Sequence, residues 1–210
     1  MHNDTVLTQN EPIARRVLQI QTLTVIWMTL EALVSLASAW IARSPALLCF
    51  GGDSAVELLS AAVVLRRFYS PKHEARAEQQ AARIAGALLF VLGAFVILTA
   101  GLSLAGLAEP RSSRVGMALL VLAAAVMPLL AARKRQLAAI TGSAALRADA
   151  AESAVCGYLA LIALAGLLVN AIWHVKWADP IAALALLPFI LREGWEAMSG
   201  QACSDDDAGS

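Results

Sequence analysis

The sequence predicts an all-α, polytopic membrane protein of six transmembrane helices, and three observations carry that expectation. Hydrophobic residues make up 59% of the 210 positions and charged residues only 15%, which leaves little chain for any soluble domain. Six apolar stretches of span length alternate with short polar connections. Basic residues divide unequally between the two sides that such an arrangement creates.

Residues 1–14 read as a polar cytoplasmic tail, and the transmembrane domain is expected over 15–200. Its first span begins near Val17 and ends near Ala42, interrupted by Glu31. The second runs from about Ala46 to Leu65, bounded by Pro45 and the Arg66-Arg67 pair. The connection RRFYSPKHEARAEQQAAR is basic and polar, and its latter part can be helical into the third span. That span, Ile84 to Ala108, carries no charge, and GLAEPRSSR with Pro110 forms the turn after it. The fourth span, about Val115 to Ala132, is expected to kink at Pro128.

RKRQLAAITGS reads as a basic loop, and the fifth span then runs from Ser143 or Ala148 to Val169. NAIWHVKWADP is a turn whose tryptophans suit a membrane interface. Asp179 is expected to cap the sixth span, with Pro180 in its first turn and Trp195 at its far end. Residues 201–210, including Asp205–Asp207, read as a disordered acidic tail.

Arg15, Arg16, Arg66, Arg67, Lys72, Arg76, Arg83, Arg133, Lys134, Arg135, Arg147 and Arg192 fall on one side of this topology. Arg43, Arg111, Arg114 and Lys176 fall on the other. The excess places both termini in the cytoplasm, with a bacterial inner membrane as the expected location. No cleavable signal peptide is expected, since the polar N-terminus lacks a basic n-region. A formal net charge of zero, without a basic stripe, argues against nucleic acid as a partner. Three scattered cysteines do not make a disulfide framework.

The second span carries the sharpest chemical signal. Asp53 and Glu57 are four residues apart, which puts both carboxylates on one helix face about one turn apart. Acids at bilayer depth are costly and are kept where an ion, proton or substrate uses them. On the fifth span, with Asp149 as zero, Glu152 falls near about 300°, Ser153 about 40° and Cys156 about 340°. The second helix runs inward and the fifth outward, so Asp53, Glu57, Glu152 and Cys156 reach similar depth. Three or four carboxylates and a thiol in a tight bundle suit a divalent transition metal. A cysteine ligand favours zinc or cadmium; an all-oxygen set suits manganese, iron or cobalt better. Clustered carboxylates also hold protons that metal must expel, which is the chemistry of an antiporter.

Each residue also has a plainer role open to it. Cys156 can be a small buried hydrophobe, and the carboxylates can bond neighbouring hydroxyls. Asp149 can cap the fifth helix or pair with Arg147. Glu31 can be a proton relay, an extra ligand or the partner of a polar group, so Asp149 and Glu31 stand as an additional metal or proton site. His73 and Glu74 belong to a solvated loop and His174 with Lys176 to the interface. Gly86, Gly93 and Gly101 permit close helix contact.

Three segments resemble the transmembrane domain of the cation diffusion facilitator (cation efflux) family, in the family's order and spacing, over roughly residues 15–200. SPALLCFGGDSAVE resembles its second-helix run ending in an Asp or His, three residues, then an Asp; GSAALRADAAESAVC resembles its S-x-x-x-R-A-D-x-x-H-x-x-x-D stretch. WADPIAALAL resembles its W-x-D-P opening of the sixth helix.

The resemblance implies a cation-efflux-type bundle with Asp53 and Glu57 as ligands on the second helix. Glu152 stands at the family's histidine position, Cys156 at its aspartate position, and Asp149 matches an Asp usually present just before the site. It further implies zinc-type efflux driven by inward proton movement, commonly by a homodimer; manganese, cobalt, cadmium and iron stay open as substrates on the ligand chemistry. The chain departs from the family in three ways: some ten residues follow the sixth helix where a cytoplasmic domain usually stands, RKRQ stands where many members carry a histidine-rich loop, and no histidine occupies the core site. The competing expectations are a membrane-embedded hydrolase, which lacks H-E-x-x-H and G-x-S-x-G here, and a metal-binding regulator or subunit of a larger transporter.

Overall fold

The computed structural model describes residues 4–69, 74–142 and 144–199, with side chains over 15–59, 80, 83–142, 146–147 and 149–199. Six helices account for nearly all of this: α1 (Asp4–Ala42), α2 (Pro45–Tyr69), α3 (Glu74–Leu104), α4 (Arg114–Thr141), α5 (Ala144–Trp173) and α6 (Ala178–Ser199). Four contain stretches long and apolar enough to cross a membrane on their own: Arg15–Ala42, Arg83–Leu104, Arg114–Thr141 and Asp149–Trp173. The other two, α2 and α6, hold the clustered acids described below. Leu23, Ile26, Leu33, Val91, Leu98, Val121 and Leu129 face outward, an apolar exterior that lipid covers and water would not tolerate. The protein is an all-α integral membrane bundle.

Phe50, Val96, Leu120, Met127, Leu159 and Leu186 are essentially buried and belong to one apolar core that draws on all six helices. A second cluster, Leu137, Ala138 and Leu146 with Val17 and Ile20 against it, joins α1, the end of α4 and the start of α5.

Helix register on the opposite end is set by one carboxylate. α6 begins at Ala178, so Asp179 lies inside its first turn rather than before it. Its oxygens accept instead from Ser44 Oγ at 2.5 Å and Ala46 N at 3.0 Å. The expected cap of α6 is therefore a cap of α2: Asp179 and Ser44, which also accepts from Leu47 N at 3.2 Å, satisfy the free N–H groups of that helix start. The Cys49 thiol follows one turn on, 3.9 Å from Ala183 O. α2 and α6 thus leave a shared clamp side by side in the same direction.

The α3–α6 crossing depends on two glycines. A Cβ on Gly86 would lie 2.7 Å from Gly194 O, and one on Gly194 3.3 Å from Gly86 O, so the backbones touch where side chains would hold them apart. Gly93 packs on Leu191 and Leu187, whereas Gly101 meets nothing within 4 Å.

Several boundaries differ from the sequence expectation. α1 is helical from Asp4, well ahead of the span start expected near Val17. RKRQLAAIT is the last part of α4, not a loop, and Gly142 in the left-handed region (φ 68°) ends it. α4 runs through Pro128 as expected, whereas α5 continues past Val169 to Trp173, after which His174 turns the chain at φ 55°. The expectations for His73 and for the 201–210 tail lie outside the described residues.

Candidate metal site

α2 delivers Asp53 and Glu57 to the middle of the bundle, and α6 delivers a third acid, Glu193. One carboxylate oxygen of each lies within 4.8 Å of the other two. The shared clamp explains the meeting. From Ala46, Glu57 lies about 16 Å along α2, and from Asp179, Glu193 lies about 21 Å along α6, at 1.5 Å per residue. That difference of about one turn is within the span of two glutamate side chains. Asp53 is 1% exposed, while Glu57 and Glu193 are half-buried.

Asp53 is the unusual member. Neither of its carboxylate oxygens has a hydrogen-bond partner among the described residues. An ionised carboxylate buried without donors is among the most expensive groups a protein can hold, and it is tolerated when a cation or proton supplies what the protein withholds. Three carboxylates around one point offer a dication both its charge balance and its oxygen ligands.

Glu31 and Cys156 form a second pair beside the trio. Glu31 is fully buried on α1; its Oε1 accepts from the Cys156 thiol over a long 4.0 Å contact, and its Oε2 has no partner among the described residues. Cys156, expected as the fourth ligand, is buried and points at Glu31. It is not among the atoms gathered within 4.8 Å. Glu152 is exposed and also outside that group. It remains electrically close, since the charges acting on it include Asp149, Glu193 and Lys134. The structure therefore brings Asp53 and Glu57 together with an acid from α6, and leaves the two α5 residues at the margin.

Asp149 has a structural setting. It accepts from Lys134 Nζ at 2.7 Å and from Gln21 Nε2 at 2.8 Å. Lys134, expected in a solvated basic loop, is completely buried and donates also to Ser153 Oγ at 2.9 Å. Arg147, the partner considered from sequence, is exposed. The helical continuation of α4 accounts for the difference: it carries Lys134 against α5, where only an acid makes its burial tolerable.

Glu193 escaped sequence reasoning because it sits among Arg192, Trp195 and Glu196, a group that reads as the interfacial end of a span. One signal was available. Arg192 pairs with Glu196 at i,i+4, 2.7 Å apart, which leaves Glu193 without a counter-charge on its own helix.

The family model described as the cation efflux transmembrane domain matches residues 22–199, from the middle of α1 to the last residue of α6. No curated protein matches the chain at a significant level. An all-α bundle matched over almost its whole length in this way has one reading: the chain belongs to the cation efflux family of membrane transporters, which move metal cations.

Proposed function

We propose that the protein exports a divalent transition-metal cation in exchange for protons, through the carboxylate site at mid-bundle. The observation that carries this reading is Asp53, dehydrated and with neither oxygen given a donor among the described residues, facing two further carboxylates. Such a group needs a positive partner at every stage of a cycle. A metal ion meets that need in one state and protons meet it in the other, so the two compete for the same oxygens. Zinc is the cargo this reading takes first; manganese, cobalt, iron and cadmium are alternatives of the same charge. Export sets the direction from the side of the termini, with both ends in the cytoplasm as the basic residues suggest.

The test is uptake into sealed proteoliposomes containing the purified protein, with an imposed proton gradient. Asp53→Ala and Glu57→Ala should each abolish gradient-driven metal movement. Undiminished flux in both variants would sink the reading. Metal binding without any flux in the unmutated protein would mark it as a regulator or subunit instead.

A further inference from the structure

Arg43 and Arg111 both line a cavity of about 760 Å³ between α1, α2 and α3, at the end of the bundle that carries the α1–α2 and α3–α4 turns. Leu36, Leu48, Phe95 and Leu102 form its apolar walls, and Trp40 beside them is 87% exposed. Among the described residues no acid lines it. Basic residues are scarce at this end, yet two of them meet at one cavity. Arg43 follows the last residue of α1 with φ 53°, the left-handed region that glycine or asparagine normally fills at a helix end. An arginine there strains the backbone. Its side chain is exposed, so core packing does not offset that strain. The Arg111 N–H donates to Ala42 O at 2.8 Å, which fixes the second arginine beside the first. Neither guanidinium makes a salt bridge among the described residues. Glu109 lies close enough to feel Arg111, but Lys176 already holds it at 2.6 Å.

We propose that this cavity binds one anionic phospholipid, its phosphate between Arg43 and Arg111 and an acyl chain along Leu36, Phe95 and Leu102. Two guanidinium groups offer a phosphate paired N–H donors as well as charge. Their position at a helix turn puts them at headgroup depth, with the apolar walls reaching toward the hydrocarbon, the arrangement by which basic pockets between membrane helices take anionic lipids. The cavity volume falls within the range of built ligand sites. A second copy of the chain fits less well, because a two-fold contact centred here would set four arginines against one another. The bound lipid ties the α1–α2 turn to α3 and to the segment that leads into α4.

The test is native mass spectrometry of the whole protein, released from nonionic detergent that contains equimolar phosphatidylglycerol and phosphatidylcholine with identical chains. The unmutated protein should retain phosphatidylglycerol at least about fivefold over phosphatidylcholine. Arg43→Gly with Arg111→Gln should cut that preference to less than about twofold. Both changes suit the backbone: glycine accepts a φ of 53°, and glutamine keeps the N–H that Ala42 O accepts. Arg133→Gln with Arg135→Gln, exposed on α4 near its other end, should leave the preference unchanged. Equal retention of the two lipids by the unmutated protein would overturn the proposal, and that measurement needs no variant. So would a preference that survives in the Arg43 and Arg111 double variant, or one lost equally in the α4 variant. Glycerophosphoglycerol, which has the headgroup without chains, should not displace the lipid at equal concentration; displacement would assign the arginines to a soluble phosphate ester instead. A dimer that forms without lipid preference and dissociates in the Arg43 and Arg111 double variant would give the face to a second copy.

Discussion

Asp179 and Asp53 are both aspartates buried in the same bundle, 0% and 1% exposed, and they are built for opposite ends. Asp179 receives a hydroxyl and a backbone N–H; Asp53 receives no donor among the described residues. Burial by itself therefore does not mark a functional acid. Supply of donors does, because a satisfied carboxylate is held in one state, whereas an unsatisfied one must take a cation or proton from outside. The pair shows where this protein places its stability and where it gives stability up.

The comparison can be broken most directly at Asp53. Asp53→Asn removes a buried charge that has no donor, so metal flux should fall at least about a hundredfold while the thermal midpoint stays level or rises. Flux and midpoint falling together would mean that Asp53 is structural like Asp179. Asp179→Ala should do the reverse in the first instance, costing about 3 kcal/mol by leaving Ser44 Oγ and Ala46 N unpaired at a buried helix start. Asp179→Asn keeps one acceptor and should cost about 1 kcal/mol. Chemical denaturation of the detergent-solubilised protein measures both.

A satisfied buried charge pair offers a third comparison, intermediate in size. Lys134→Met strands Asp149, but Asp149 is 29% exposed at its side chain, so water relieves part of the loss. The expected cost is about 1–3 kcal/mol, below the ~3–5 kcal/mol of a fully buried pair broken from one side. Lys134→Met with Asp149→Leu should recover most of it, because the pair is then removed whole. A double variant less stable than Lys134→Met would show that Gln21 and Ser153 need Asp149 for a reason other than its charge.

The smallest effect lies at the surface. Lys176 Nζ stands 2.6 Å from Glu109 Oε1 in a pair exposed on both sides. The ammonium holds the Glu109 carboxyl below its usual range. A depressed folded-state value contributes stability above the unfolded pKa, and that contribution is lost as pH falls through the folded value. Solvent screening at this position makes it too small to resolve. Glu109→Gln and the unmutated protein should therefore share one thermal midpoint at pH 7 and at pH 4, and a gap at pH 7 that closes at pH 4 would show the pair to be stronger than its exposure implies.

Asp53 and Glu57 were legible from sequence because one helix carries both, and helical periodicity is a local rule. The six spans were legible for the same reason: each is a run of apolar residues long enough to read alone. Lys134 was not legible, since RKRQ looks like a solvated connection until α4 is seen to pass through it and press the lysine onto α5. Asp179 was read correctly as a cap but assigned to the wrong helix. A side chain's nearest helix start in sequence need not be its nearest in space.

What the sequence determined by itself was the class of molecule and the presence of mid-span acid on the second helix, both consequences of local composition and period. The tertiary structure decided which acids meet. Glu193 joins Asp53 and Glu57 because Asp179 ties the starts of α6 and α2 together. Glu152 and Cys156 stay apart from that group. These are relations between helices far apart in the chain, and no pattern within one helix encodes how its neighbour is rotated or offset.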